Sequence, residues 1–112
     1  MIKDIIPNWM KEIDAAITIC DKNFKIVYMN DKSVKTFENT TIGDSILNCH
    51  KPESISLMKE LLAQGKSNTY TIEKKSIKKL IHQTPWFENG NIAGLIEFSI
   101  VLPNDMKHFM RL

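Results

Sequence analysis

The most constraining part of the chain is the run Ala15-Ala-Ile-Thr-Ile-Cys-Asp-Lys-Asn-Phe-Lys-Ile-Val-Tyr-Met-Asn-Asp31. Two short stretches rich in β-branched and aromatic residues, Ile17–Cys20 and Lys25–Met29, flank the polar turn Asp21–Phe24. This pattern predicts a β-hairpin. Asn23 is the residue expected to take a positive φ there, because its short polar side chain tolerates the left-handed region. The second strand runs directly into Asn30-Asp31, either of which can cap a helix over 31–37.

Further along, Thr41–Leu47 reads as a loop holding Gly43. Pro52–Gln64 carries Ile55, Met58, Leu61 and Leu62 at helical spacing, with Pro52 at its start and Gly65 as its stop. Three strand candidates follow, Thr69–Glu73, Ile77–Phe87 and Ile92–Leu102, the last two joined by a loop containing the hairpin dipeptide Asn89-Gly90. Pro85 cannot donate to a ladder, so it belongs at a bulge or on an edge.

Strand, Asp-containing turn, strand, Asn cap and a short helix ending in an aromatic: this order resembles the opening of a PAS domain. The residues that carry the likeness are Asp21, Ile26, Tyr28, Asn30 and Phe37. The rest of the chain can be read in the same family order, so the resemblance spans roughly residues 10 to 102. It implies an α+β fold, a five-stranded antiparallel sheet with short helices over one face. The expected layout is an N-terminal amphipathic helix over 1–13, a PAS domain over 14–103 and a tail over 104–112.

At 112 residues, 43% hydrophobic and 25% charged, the chain suits one ordinary globular domain with a modest core. A net charge of +2 is too small to argue for nucleic acid or an acidic membrane. The lysines Lys74, Lys75, Lys78 and Lys79 read as a solvated rim. No run approaches the about 20 apolar residues that span a bilayer, and no secretory leader is visible. Cys20 and Cys49 form neither a metal pattern nor a disulfide framework, and a cytoplasmic location is the simplest expectation. At the N-terminus, Ile2, Ile6, Trp9 and Ile13 make an apolar stripe that could fold onto the sheet or pair with a second copy. Near the other end, Met106, Phe109 and Met110 have the spacing of a short apolar face, though loose structure fits equally well.

Enzyme signatures are missing: there is no phosphate-binding glycine loop, nucleophile elbow or zinc-protease helix, and catalysis is not expected. The unusual segment is Asn48-Cys-His-Lys-Pro-Glu-Ser54, which enters the long helix. In the PAS fold that helix borders a ligand cavity. His50 is therefore a candidate polar contact there, or a haem ligand, since imidazole is a common axial donor. Cys49 invites comparison with flavin photosensors of the superfamily, but the residues around it do not match theirs. On the strand Ile77–Phe87, Leu80, His82 and Thr84 alternate with Lys79, Ile81 and Gln83. The lysine in the second set places the first set, His82 included, toward the interior.

The resemblance thus implies a sensory or signalling module that binds a small molecule or cofactor between helices and sheet. The expected lining is Ile19, Met29, Phe37, His50, Leu57, Leu61, His82 and Phe98. Partners would be that small molecule, a second copy in a homodimer, and a signalling protein. A dimerisation module with a self-filled cavity, and a haem or redox sensor, stand as alternatives.

Overall fold

The computed structural model describes residues 6–112, apart from the side chain of Cys49. Its elements run α1 (Trp9–Glu12), β1 (Ala16–Asp21), β2 (Ile26–Met29), α2 (Asp31–Thr36), a 3₁₀ turn over Ile46–Cys49, α3 (Pro52–Gln64), β3 (Asn68–Lys74), β4 (Ile77–Glu88) and β5 (Asn91–Leu102). The strands form one antiparallel sheet in the order β2-β1-β5-β4-β3. The expected α+β architecture is therefore the one the chain adopts. Ile46, Met58 and Leu61 from the helical segments pack on Cys20, Ile26, Met29 and Leu95 of the sheet, so the helices cover one face.

Turn chemistry sets the hairpins. In the β1–β2 turn the Asp21 carboxylate accepts from the backbone N–H groups of Asn23 (2.9 Å) and Lys25 (3.0 Å). The positive φ falls on Phe24 (63°), not on Asn23 as the sequence suggested. Phe24 turns its ring into the core cluster, and burying an aromatic is worth about 1.5–3 kcal/mol, enough to offset the left-handed backbone. Asn89 and Gly90, at φ 51° and 83°, make the expected tight turn between β4 and β5. A similar turn joins β3 to β4, where Lys75 and Ser76 both sit at positive φ (53° and 66°) without glycine or asparagine.

Asn30 ties the hairpin to the helices. Wholly buried, its Oδ1 accepts from the N–H groups of Ile17 (2.9 Å) and Ser33 (3.0 Å), the second being the N-cap bond of α2. Its Nδ2 donates to the carbonyls of Met10 (2.9 Å) and Ala15 (2.8 Å). Of the helix expected over 1–13, residues 1–5 lie outside the described residues and only Trp9–Glu12 of the rest are helical; the capture of Met10 O accounts for the stop at Glu12. A continuing helix needs that carbonyl for its own ladder, whereas here the chain turns extended at Ile13 (ψ 158°) to enter β1. Ile2 lies outside the described residues.

Pro85 occupies a stretch of β4 beyond the end of β3, whose last pairing is Asn68 with Gln83, and the β4–β5 register shifts just after it between Trp86 and Phe87. Edge and bulge thus coincide. Gly94 allows a close crossing: the Trp86 indole N–H donates to the Cys20 carbonyl at 2.9 Å, and a Cβ on Gly94 would collide with that same carbonyl and with the indole nitrogen. Residues 103–112 form no helix, and Met106, Phe109 and Met110 are exposed.

Candidate functional site

Burial along β4 and β5 decides which side chains lie beneath the helices. Ile81, Gln83 and Pro85 are buried on β4, as are Leu95, Glu97 and Ser99 on β5. Lys79 continues the β4 set by alternation. Leu80, His82 and Thr84 therefore point to the opposite face, which corrects the orientation read from the sequence. The cause is that Lys79 belongs to the inner set, so a lysine in the pattern did not mark the solvent side.

Register then brings an unusual row together. Glu97 lies opposite Thr18 of β1 on one side and Gln83 of β4 on the other, and Gln83 lies opposite Asn68 of β3. Four polar residues cross the covered face in a line. Thr18, Gln83 and Glu97 are only 4%, 2% and 6% exposed, so each needs a partner to offset its lost hydration. Thr18 shares a 2.6 Å hydroxyl–hydroxyl hydrogen bond with Ser33 of α2. Gln83 donates its Nε2 to Glu97 Oε2 at 3.0 Å.

His50, brought in by the segment that leads from the 3₁₀ turn into α3, completes the cluster with Nε2 at 3.3 Å from the same Oε2. Its Nδ1 lies 2.9 Å from the Ile46 carbonyl. A carbonyl only accepts, so Nδ1 carries a hydrogen. A hydrogen bond between Nε2 and Glu97 then needs a further proton, on the imidazole or on the carboxyl. Either way Oε2 is engaged, and Oε1 remains an acceptor with no hydrogen-bond partner among the described residues.

Two recesses open on this cluster. One of about 200 Å³ is lined by Thr36, Phe37, His50, Tyr70, Ile72, Lys79, Ile81, Glu97 and Ser99. Its neighbour, about 230 Å³, is lined by Ser54, Leu57, Asn68, Tyr70 and Gln83. Tyr70 stands between them, and its phenol is pushed above the usual value, first by burial and then by the nearby Glu97 carboxylate. A larger cleft of about 990 Å³ lies at the hairpin end, against Lys22, Tyr28, Ile42, Trp86 and Ile92. It is about as open to solvent as the two recesses, and none of the four residues of the polar row lines it.

Of the residues expected to line a cavity, Phe37 and His50 line the first recess and Leu57 the second. Met29 and Leu61 sit next to them in the buried core. Ile19, His82 and Phe98 lie on the opposite face. There the His82 ring lies tilted at 33° with its centroid 6.3 Å from that of Phe98, and its Nδ1 is 2.7 Å from Thr69 Oγ1. His50 and His82 therefore do not share a space. Glu97, Gln83, Tyr70 and Lys79 are the site residues that the sequence reading did not select. The signal for Glu97 was present: the only charged residue in the largely apolar run Ala93–Val101.

No protein-family model matches the sequence, and no curated protein matches it. Solved structures do. The PAS domain of Bordetella pertussis BvgS superposes with a TM-score of 0.71 at 16% identity, covering 92% of this chain and 88% of that one. The Vibrio cholerae VqmA dimer without target DNA gives 0.68 at 18% identity over 93% of this chain and 52% of that one, so the chain spans about half of VqmA. The Vibrio cholerae Aer2 receptor, described as a dual PAS-heme oxygen sensor, gives 0.61 at 14% identity over 80% and 95%. The chain has the PAS fold. At these identities the likeness speaks for the fold alone.

Haem does not fit the residues present. Both ring nitrogens of His50 are already engaged, and the recess beside it is smaller than the about 300–1,000 Å³ of drug-sized sites. The large cleft has no histidine, cysteine or methionine in its lining, and its one side chain of a haem-ligating type is Tyr28. The Cys49 side chain lies outside the described residues. Among the described residues, no group of three or more histidine, cysteine or carboxylate side chains could hold a metal, and no helix is long and apolar enough to cross a membrane.

Proposed function

We propose that the protein is a sensory module of a signalling system, in which a small molecule held between α3 and the sheet shifts the populations of two conformations. The observation that carries this reading is the polar row on the covered face, with the His50–Glu97–Gln83 cluster opening onto a recess of about 200 Å³. An apolar pocket with a few converging polar groups is the usual design for recognising a small molecule. VqmA, one of the structures it resembles, is also known with DPO bound. Native mass spectrometry of the gently purified protein tests the reading. It predicts a non-covalent small-molecule adduct that disappears when Ser99→Leu narrows the recess while circular dichroism stays unchanged. A bare protein mass that persists after adding back extract from the source cells would overturn it.

Self-association is a second reading, favoured by Trp9, which stays 64% exposed on α1. A large indole left in water on the first helix is well placed to be covered by a second copy in a symmetric homodimer. On this reading residues 1–13 are an interaction segment, 14–103 the sensing domain and 104–112 a tail. Sedimentation would show a dimer that Trp9→Ser weakens, and a monomer across micromolar concentrations would exclude it.

A further inference from the structure

The recess beside Glu97 is polar at both ends, and the two ends differ in kind. At the inner end stands Glu97, whose Oε2 is engaged by His50 and Gln83 and whose Oε1 has no donor among the described residues. At the outer end Lys79 contributes to the lining, flanked by Ile72 across the strand pair and by Ile81 along its own strand. Lys79 forms no ion pair among the described residues. Gln83, which faces Glu97, is four residues along β4 from Lys79, about 13 Å at the rise of a strand. Between them the walls are Phe37, Tyr70 and Ile81.

Charge narrows the choice further. Glu97 is engaged through Oε2 by both His50 and Gln83 at the inner end. Lys79 is the only lysine or arginine lining this recess, and it has no ion-pair partner among the described residues. Resting on the reading of the recess as the ligand site, we propose that it takes a small organic acid bearing an N–H or O–H donor. The carboxylate would face Lys79, and the donor would reach Oε1 of Glu97. A volume of about 200 Å³ limits such a molecule to a handful of carbons.

The test titrates the full chain, labelled with ¹⁵N, with 4-hydroxybutyrate and 4-aminobutyrate, and in parallel with butyrate, n-butanol and n-butylamine. Amide shifts centred on Tyr70, Lys79 and Glu97 are expected with the first two compounds, with at least tenfold weaker binding of the other three. Lys79→Met should lose at least tenfold affinity for both bifunctional acids while keeping its melting temperature, since Lys79 is partly exposed and unpaired. Butyrate binding as tightly as 4-hydroxybutyrate, or unchanged affinity in Lys79→Met, would overturn the assignment. So would shifts that map elsewhere, or no shift with either bifunctional acid. Butanol or butylamine bound in the recess as tightly as the bifunctional acids would sink the ligand class yet leave the recess as a binding site. If none of the five compounds binds, the ligand class fails, and the native mass measurement above decides separately whether the recess is a site at all.

Discussion

Opposite the row of Thr18, Glu97, Gln83 and Asn68 on the helix-covered face, the other face of the sheet carries Ile17, Ile19, Ile96, Ile100 and Phe98. Burial alone favours the reverse arrangement. A buried polar group costs about 1–3 kcal/mol when it lacks a partner, and even a satisfied one gains little over a well-packed hydrocarbon. Yet the inner face has a carboxyl, an amide and hydroxyls at its middle, while on the outer face Ile17 and Ile19 are buried and Ile96 and Ile100 are partly buried. On the function proposed above, the contrast places a polar row for recognition within the same inner face that carries the packed core. Departures from local consistency of this kind belong at functional sites.

The largest expected effect lies on the outer face. Gly94→Ala sets a Cβ against the Cys20 carbonyl and the Trp86 indole, and should cost about 4 kcal/mol or more, or prevent folding. Trp86→Ala in the same chain should not rescue it, because the clash with backbone remains. Urea unfolding of the single and double variants checks both statements. If Gly94→Ala lost less than about 1 kcal/mol, the close crossing of Trp86 over β5 would be in doubt.

Next comes the thiol below the sheet. Burial pushes Cys20 up to about 11 from its ordinary 9.0. The folded state therefore keeps a proton that the unfolded chain releases first. The resulting stability is intact below pH 9 and is lost as pH rises from about 9 to about 11, a change of about 2–3 kcal/mol. Unfolding measured at pH 8, 9, 10 and 11 should fall more steeply for the wild type than for Cys20→Ala. Parallel curves would contradict the thiol's isolation. Smallest is the β3–β4 turn. Replacing Lys75 and Ser76 by Asn and Gly relieves two positive-φ side chains and should add about 1 kcal/mol, raising the melting temperature by about 4–8 °C. An unchanged or lower melting temperature would show that this turn is not strained.

Much of the fold was legible because its signals are local. The β1–β2 hairpin, the Asn30 cap, the stop at Gly65 and the Asn89-Gly90 turn each depend on a few adjacent residues, and all four are where the sequence placed them. What failed depended on tertiary context. Asn23 has the better intrinsic tolerance for a positive φ, but the core claims the ring of Phe24. Alternation identified which residues of β4 share a face without saying which face is covered, and Lys79 tipped the choice the wrong way. That error carried His82 with it, and Ile19 and Phe98 fall on the same outer side. A lysine and a glutamate on the inner sets of β4 and β5 look like solvent markers until the helices are in place.

The central claim is that the inner polar cluster serves recognition and contributes little to stability, and one measurement addresses it directly. Urea denaturation of His50→Leu/Gln83→Leu/Glu97→Leu replaces the whole hydrogen-bonded cluster by hydrocarbon at one stroke. The account predicts a folded protein within about 1 kcal/mol of the wild type, or more stable than it, whereas Glu97→Leu alone, which strands Gln83 and His50, should lose about 2–3 kcal/mol. A triple variant that loses more than about 3 kcal/mol with an unchanged denaturant slope would show that the cluster is there to hold the fold together, and would contradict the account.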